Sequence, residues 1–225
     1  MSQRLAGKRV LITQCRAFMG PVLGEVFAEQ GADVILDEAP LVDPSRPAEM
    51  VAAAGRIDVL VANLAVPAPR TPATQVSDEE WRLVFAHLVD PLPRLARAVL
   101  PQMLARRSGK IVVMGSASAL RGRKNVSTYS AARGAQVAWV RNVGTEVAPD
   151  NVQVNLIAQN FVENPTYYPP ELIARPDFQE RLKADVPIGR LATAREDAMF
   201  AVFLASDECN FLVGQSFPFS GGWVT

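Results

Sequence analysis

The sequence has little of what metal centres and covalent frameworks are made from. Cys15 and Cys209 are its only cysteines and His87 its only histidine, so neither a disulfide framework nor a zinc site of the usual ligand spacing can be built. An excess of one charge is missing as well. The 23 basic and 23 acidic residues cancel, which leaves no electrostatic footprint for nucleic acid or an anionic membrane. No apolar run reaches the roughly 18 residues that a spanning helix needs. The opening MSQRLAGKRVLITQ passes straight into a strand pattern instead of a signal peptide. The expectation is a cytoplasmic protein with no metal, no nucleic-acid partner and no membrane contact.

What is present is an alternation. Short apolar runs at Arg9 to Thr13, Asp33 to Leu36, Ile57 to Val61, Lys110 to Met114, Val152 to Ile157 and Gly214 to Pro218 read as buried parallel strands. Between them, Val22 to Gln30, Asp78 to Arg106, Thr128 to Val147 and Arg195 to Ala205 carry apolar residues at three- and four-residue spacing. This order predicts an α/β fold, a Rossmann-like doubly wound parallel sheet flanked by helices, with residues 1–225 forming a single domain. The Pro-rich stretch Ala39 to Pro47 is too short for a linker. Gln159 to Pro187 is long, lacks a strand and follows a strand's carboxyl end, so it reads as a substrate-covering loop with short helices.

Five stretches carry a family resemblance: LAGKRVLIT, IDVLVAN at Ile57 to Asn63, GKIVVMGSAS at Gly109 to Ser118, YSAAR at Tyr129 to Arg133, and the tail FLASDECNFLVGQSFPFSGGW. In this order the chain resembles the short-chain dehydrogenase/reductase superfamily. Ordinary members bind a dinucleotide through a glycine-rich turn after the first strand, where backbone approaches the pyrophosphate. Here the turn reads Thr13-Gln14-Cys15-Arg16-Ala17-Phe18-Met19-Gly20, and only the last glycine remains. Bulky Cys15 and Phe18 are expected to stand in the pyrophosphate approach, so no nicotinamide cofactor is expected. Asp37 closes the second strand, where an acid would bind an adenosine ribose, and reads as a relic or a loop cap.

The same turn fits T-x(4)-F-x-G, and Ser116, Tyr129 and Arg133 fit S-x(12)-Y-x(3)-R. Together these are similar to the patterns of halohydrin dehalogenases, cofactor-independent members of the superfamily. Dehydrogenases share the Ser-to-Tyr spacing but carry lysine in place of Arg133. Spacing of four puts Tyr129 and Arg133 on one helix face, where the cation favours phenolate over phenol. Tyr129 is then the base for a substrate hydroxyl, held by Ser116 at a strand's end, with Ser118 a less fitting alternative. The alkoxide displaces halide from the adjacent carbon, as one molecule carries both groups.

The resemblance further implies a halide site in the loop Gln159-Asn160-Phe161-Val162, with the backbone N–H groups of Phe161 and Val162 facing the ion and Phe18 and Tyr168 as candidate walls. For these two aromatics, ordinary core packing competes evenly with wall duty. The implied partners are small halohydrins and epoxides, halide and other small anions such as azide, cyanide and nitrite. A homotetramer is implied through the helices around Trp81 to Leu104 and Thr128 to Val147. His87 falls where dehydrogenases keep a helix asparagine and reads as a hydrogen-bonded structural residue. The other readings are a catalytically silent binding subunit and an atypical NAD(P)-dependent reductase.

Overall fold

The computed structural model describes residues 3–225. Six strands, β1 (Arg9–Ile12), β2 (Asp33–Leu36), β3 (Val59–Asn63), β4 (Gly109–Met114), β5 (Val152–Gln159) and β6 (Ser216–Phe219), form one sheet in the order β2-β1-β3-β4-β5-β6. Every neighbouring pair is parallel. Successive residues feed opposite faces. Leu11, Leu60, Ala62, Ile111 and Val113 enter one core, while Val10, Ile12, Val59, Val61, Val112 and Met114 enter the other. Strands buried on both faces therefore read as unbroken apolar runs, which is what parallel sheets require.

The second core is closed by α1 (Gly20–Glu29) and α8 (Ala194–Ala205) through Leu23, Val26, Phe27, Ala198, Ala201 and Val202. The first is closed by α2 (Arg46–Ala54), α3 (Asp78–Leu88), α4 (Pro91–Ala105) and α5 (Ser127–Val147). Thr193 starts α8 with a reciprocal capping box to Glu196, a pairing that satisfies two otherwise orphaned N–H donors.

One stretch gains an element and one expectation is corrected. The Pro-rich stretch runs into a helix: Pro47 sits in the first turn of α2, where no backbone donor is needed, and Met50, Val51 and Ala54 are buried beneath it. The single helix expected over Asp78 to Arg106 is two, because Pro91 cannot donate to the preceding turn and the chain restarts there as the first residue of α4. The long segment after β5 carries the expected short helices, α6 (Pro170–Ile173) and α7 (Pro176–Asp185), over a small apolar cluster of Phe178, Leu182, Val186 and Leu191.

With β1 between β2 and β3, the strand order reverses at β1 and β3, and the loops leaving their carboxyl ends diverge. Open α/β sheets bind ligands in the crevice formed there. Among the described residues, no helix is long and apolar enough to cross a membrane.

Candidate active site

A cavity of about 410 Å³ opens at the carboxyl ends of β3, β4 and β5. Ser116, Tyr129 and Arg133 line it together, and so do Phe18, Gln159, Asn160, Phe161, Val162 and Tyr168. The residues singled out in the sequence thus converge on one chamber from four separate segments.

The Arg133 guanidinium is its anchor. Nη1 donates to the Met114 carbonyl at 3.0 Å and to the Gln136 amide oxygen at 2.9 Å, while Nη2 donates to the Leu64 carbonyl at 3.2 Å. A planar fork can span the ends of two strands and its own helix in this way; an ammonium on a flexible stem cannot. Arg133 is 6% exposed, has no carboxylate partner among the described residues, and leaves Nε without a hydrogen bond. Its Cζ lies 5.0 Å from the centre of the Tyr129 ring. Ser116 starts the short 3-10 turn Ala117–Ala119, with its Oγ 2.9 Å from the Ser118 Oγ and accepting the Ser118 N–H. The two serines therefore form one polar corner, and Ser118 also faces the cavity.

The loop after β5 is held at several points. Asn160 donates its N–H to the Phe219 carbonyl at 3.0 Å, and its side-chain oxygen accepts the Phe161 N–H at 3.0 Å. Phe161 adopts a left-handed backbone with φ +56°, a conformation that favours glycine and stores strain in other residues. The Phe161 N–H, expected to face a halide, is thus engaged by Asn160. The buried Val162 N–H donates to no protein acceptor among the described residues. Gln159 lines the chamber, but its amide donates to the wholly buried Asp197 at the start of α8.

Tyr167 is the residue that sequence reasoning missed. Its hydroxyl accepts the Ala68 N–H at 3.0 Å, its ring lies 5.2 Å from that of Phe18, and it faces Tyr129. Burial, and then the neighbouring Tyr129 charge, push this phenol up to about 12, so it stays a proton donor. Tyr168 also lines the chamber and packs against Phe161 and Phe178, at ring distances of 6.4 and 6.0 Å. The signal available in the sequence was a second tyrosine, Tyr167, beside the one singled out. Asn164 sets the turn: it bonds the Val162 carbonyl and the Tyr167 N–H through its side chain and the Tyr168 N–H through its carbonyl. His87 bonds the Leu83 carbonyl at 2.8 Å, as a structural residue should.

The turn after β1 decides whether a dinucleotide fits. Gln14 and Phe18 hold left-handed backbones, with φ +46° and +48°, so side chains sit where a glycine-rich turn would present bare backbone. The Gln14 side chain accepts the Ala65 N–H at 2.6 Å, and Asn63 donates to the Gln14 and Ala17 carbonyls at 3.0 Å each. Cys15, expected in the pyrophosphate approach, packs into the core instead, with its N–H on the Asp37 carbonyl. Asp37 is buried and paired with Arg46. The chamber ends at Phe18 and Met19 and includes no residue of β2. These residues do not fit a nicotinamide dinucleotide.

The parallel sheet, the reversed strand order and a Ser-Tyr pair at the ends of β4 and α5 define a protein of the short-chain dehydrogenase/reductase class. The enoyl-(acyl carrier protein) reductase family model matches residues 45–224, and the chain belongs to that family within the superfamily. Among curated proteins it is 28% identical to the 3-oxoacyl-(acyl-carrier-protein) reductase FabG of Escherichia coli, over 89% of this chain and 86% of that one. Among solved structures it is similar to a dehalogenation enzyme at 33% identity and a TM-score of 0.91, covering 98% of this chain and 100% of that one. It is similar also to a halohydrin dehalogenase bound to ethyl (2S)-oxiran-2-ylacetate, at 27% identity and a TM-score of 0.89, over 97% and 98% of the two chains.

Two outcomes follow from this geometry. Calorimetry with NADH or NADPH at millimolar concentration is expected to show no binding, and a micromolar affinity contradicts the filled turn. Asp197 supplies the other. Burial raises its carboxyl to about 7, opposed only by the Gln159 amide. The folded chain then holds a proton that the unfolded chain lacks between about pH 4 and pH 7, so stability falls as pH rises through that window. Asp197→Asn is expected to flatten the fall, each pH unit being worth at most about 1.4 kcal/mol. Parallel urea midpoints for both proteins across the window would exclude the effect.

Proposed function

We propose that the protein is a cofactor-independent halohydrin dehalogenase, a carbon-halide lyase that closes vicinal halohydrins to epoxides. The observation that carries this reading is the buried, carboxylate-free Arg133 guanidinium against Tyr129, in a chamber whose cofactor side is filled by Phe18. A buried cation without a counter-charge favours any group beside it that becomes negative. Tyr129 is that group. It takes the proton of the substrate hydroxyl while the polar corner at Ser116 holds the same oxygen.

The oxygen attacks the neighbouring carbon from the side opposite the halogen. One C–O bond forms as the C–halogen bond breaks, and the halide leaves with the bonding pair. Nucleophile and leaving group share one molecule, so positioning supplies much of the acceleration. The halide leaves toward the loop Gln159 to Val162, where the Val162 N–H is the free donor and Phe18 and Phe161 form apolar walls. Run backwards, the same site presents a small anion such as azide, cyanide or nitrite to an epoxide, with Tyr129 as the acid.

The solved dehalogenases support this reading at 33% and 27% identity. The reductase reading draws on the family model and on FabG, but the turn from Gln14 to Phe18 opposes it. A catalytically silent subunit would have no use for Ser116, Tyr129 and Arg133 meeting in one chamber. For the assembly we propose a homotetramer, supported by Trp81 and Leu83, which are 44% and 52% exposed on α3.

Chloride release from 1,3-dichloro-2-propanol tests the function. The wild-type protein is expected to release chloride without added nucleotide, and Tyr129→Phe to lower turnover by at least about a hundredfold with the fold intact. Undiminished release by the variant, or release that needs nucleotide, contradicts the proposal.

A further inference from the structure

The outer half of the chamber differs in charge from the inner half. Arg70 from the loop after β3, Arg123 from the loop before α5 and Arg181 from α7 all line it. Burial raises the Tyr168 phenol, and Arg123, Arg181 and Arg70 each pull against it. Many surface arginines pair with acids, as Arg9 does with Asp33, Arg175 with Asp177 and Arg190 with Glu196, while Arg97, Arg121 and Arg141 stand apart from one another without such a partner. Among the described residues Arg70, Arg123 and Arg181 have no such partner. Asp185 is the one carboxylate in the lining, and it forms no ion pair with any of them.

Two of the three rest against aromatic faces, with the Arg123 Cζ 5.8 Å from the Trp223 ring and the Arg181 Cζ 5.9 Å from the Phe178 ring. Stacking holds a guanidinium plane without neutralising it. Three unpaired cations from three segments would repel one another if nothing anionic came between them. A neutral substrate gives them no use, whereas a carboxylate accepts the forked donors directly.

We propose that this outer half binds an acidic substituent, so that the substrates are vicinal halohydrins, and the corresponding epoxides, that carry a carboxylate at the end away from the reacting carbons. The inference rests on the dehalogenase reading. A short chain of one or two carbons from the hydroxyl-bearing carbon leads outward from Tyr129 past Tyr168, and the acid meets Arg123, Arg181 and Arg70. The chemistry at the inner end is unchanged: the hydroxyl proton goes to Tyr129, the C–O bond closes and chloride leaves with its electron pair.

The test compares 4-chloro-3-hydroxybutanoate with its ethyl ester, which share skeleton and leaving group and differ in charge, with 1,3-dichloro-2-propanol as a neutral reference. Chloride release is expected to give the acid a kcat/KM at least about tenfold above the ester at low ionic strength, through KM. Added salt should erode the advantage, since exposed charges are screened. Arg123→Gln and Arg181→Gln should each lower the acid-to-ester ratio, and together abolish it. A ratio at or below one in the wild-type protein, or a ratio that neither the substitutions nor salt change, overturns the inference while chloride release from the neutral reference leaves the dehalogenase reading standing. No release from any of the three contradicts that reading, and the inference with it.

Discussion

The uncompensated charge of Arg133 governs the site. Burying a cation away from carboxylates is costly, and here three neutral acceptors and the Tyr129 ring meet that cost. The acceptors are the Met114 and Leu64 carbonyls and the Gln136 amide. Two of them lie at the ends of β4 and β3, so the guanidinium ties the helix that carries Tyr129 to the sheet edge where the chamber opens. A carboxylate beside Arg133 would neutralise the cation that faces the Tyr129 ring. In the proposed mechanism, the unpaired cation stands beside the ring that receives the substrate's proton.

A second constraint surrounds the first. Gln14, Phe18 and Phe161 hold left-handed backbones although none is glycine, and such residues store on the order of 1–3 kcal/mol each. Phe18 and Phe161 line the chamber and Gln14 braces the turn behind it. The turn after β1 keeps the path of a glycine-rich loop while side chains fill the space that such a loop leaves open. Gly20 cannot change in the same way, since a Cβ there would lie 2.5 Å from the Cys15 backbone. This explains why the last glycine of the turn persists while the earlier positions carry Gln14 and Phe18.

The strands were legible because burial on both faces writes itself as apolar runs, whereas Ser116, Tyr129 and Arg133 were legible through the family resemblance, spacing alone giving only that the last two share a helix face. The break at Pro91 and the helix beginning at Arg46 were obscured by proline, which marks either a loop or a helix's first turn until the buried Met50, Val51 and Ala54 decide. Cys15 was misplaced because turn geometry, not residue size, chooses which side chain faces the ligand. Tyr167, the Asn160 grip on the Phe161 amide and the Gln159–Asp197 pair depend on contacts between distant segments, for which the sequence offers no periodic signal.

In the proposed mechanism halide is received by the loop after β5, at the buried Val162 amide, which donates to no protein acceptor among the described residues. A crystal soaked in bromide tests it directly by anomalous scattering. The account predicts a bromide within hydrogen-bonding distance of the Val162 amide nitrogen, between Phe18 and Phe161 and in line with the space between Ser116 and Tyr129. Bromide found only among the outer arginines, with the Val162 amide unoccupied in a protein that releases chloride, would contradict it.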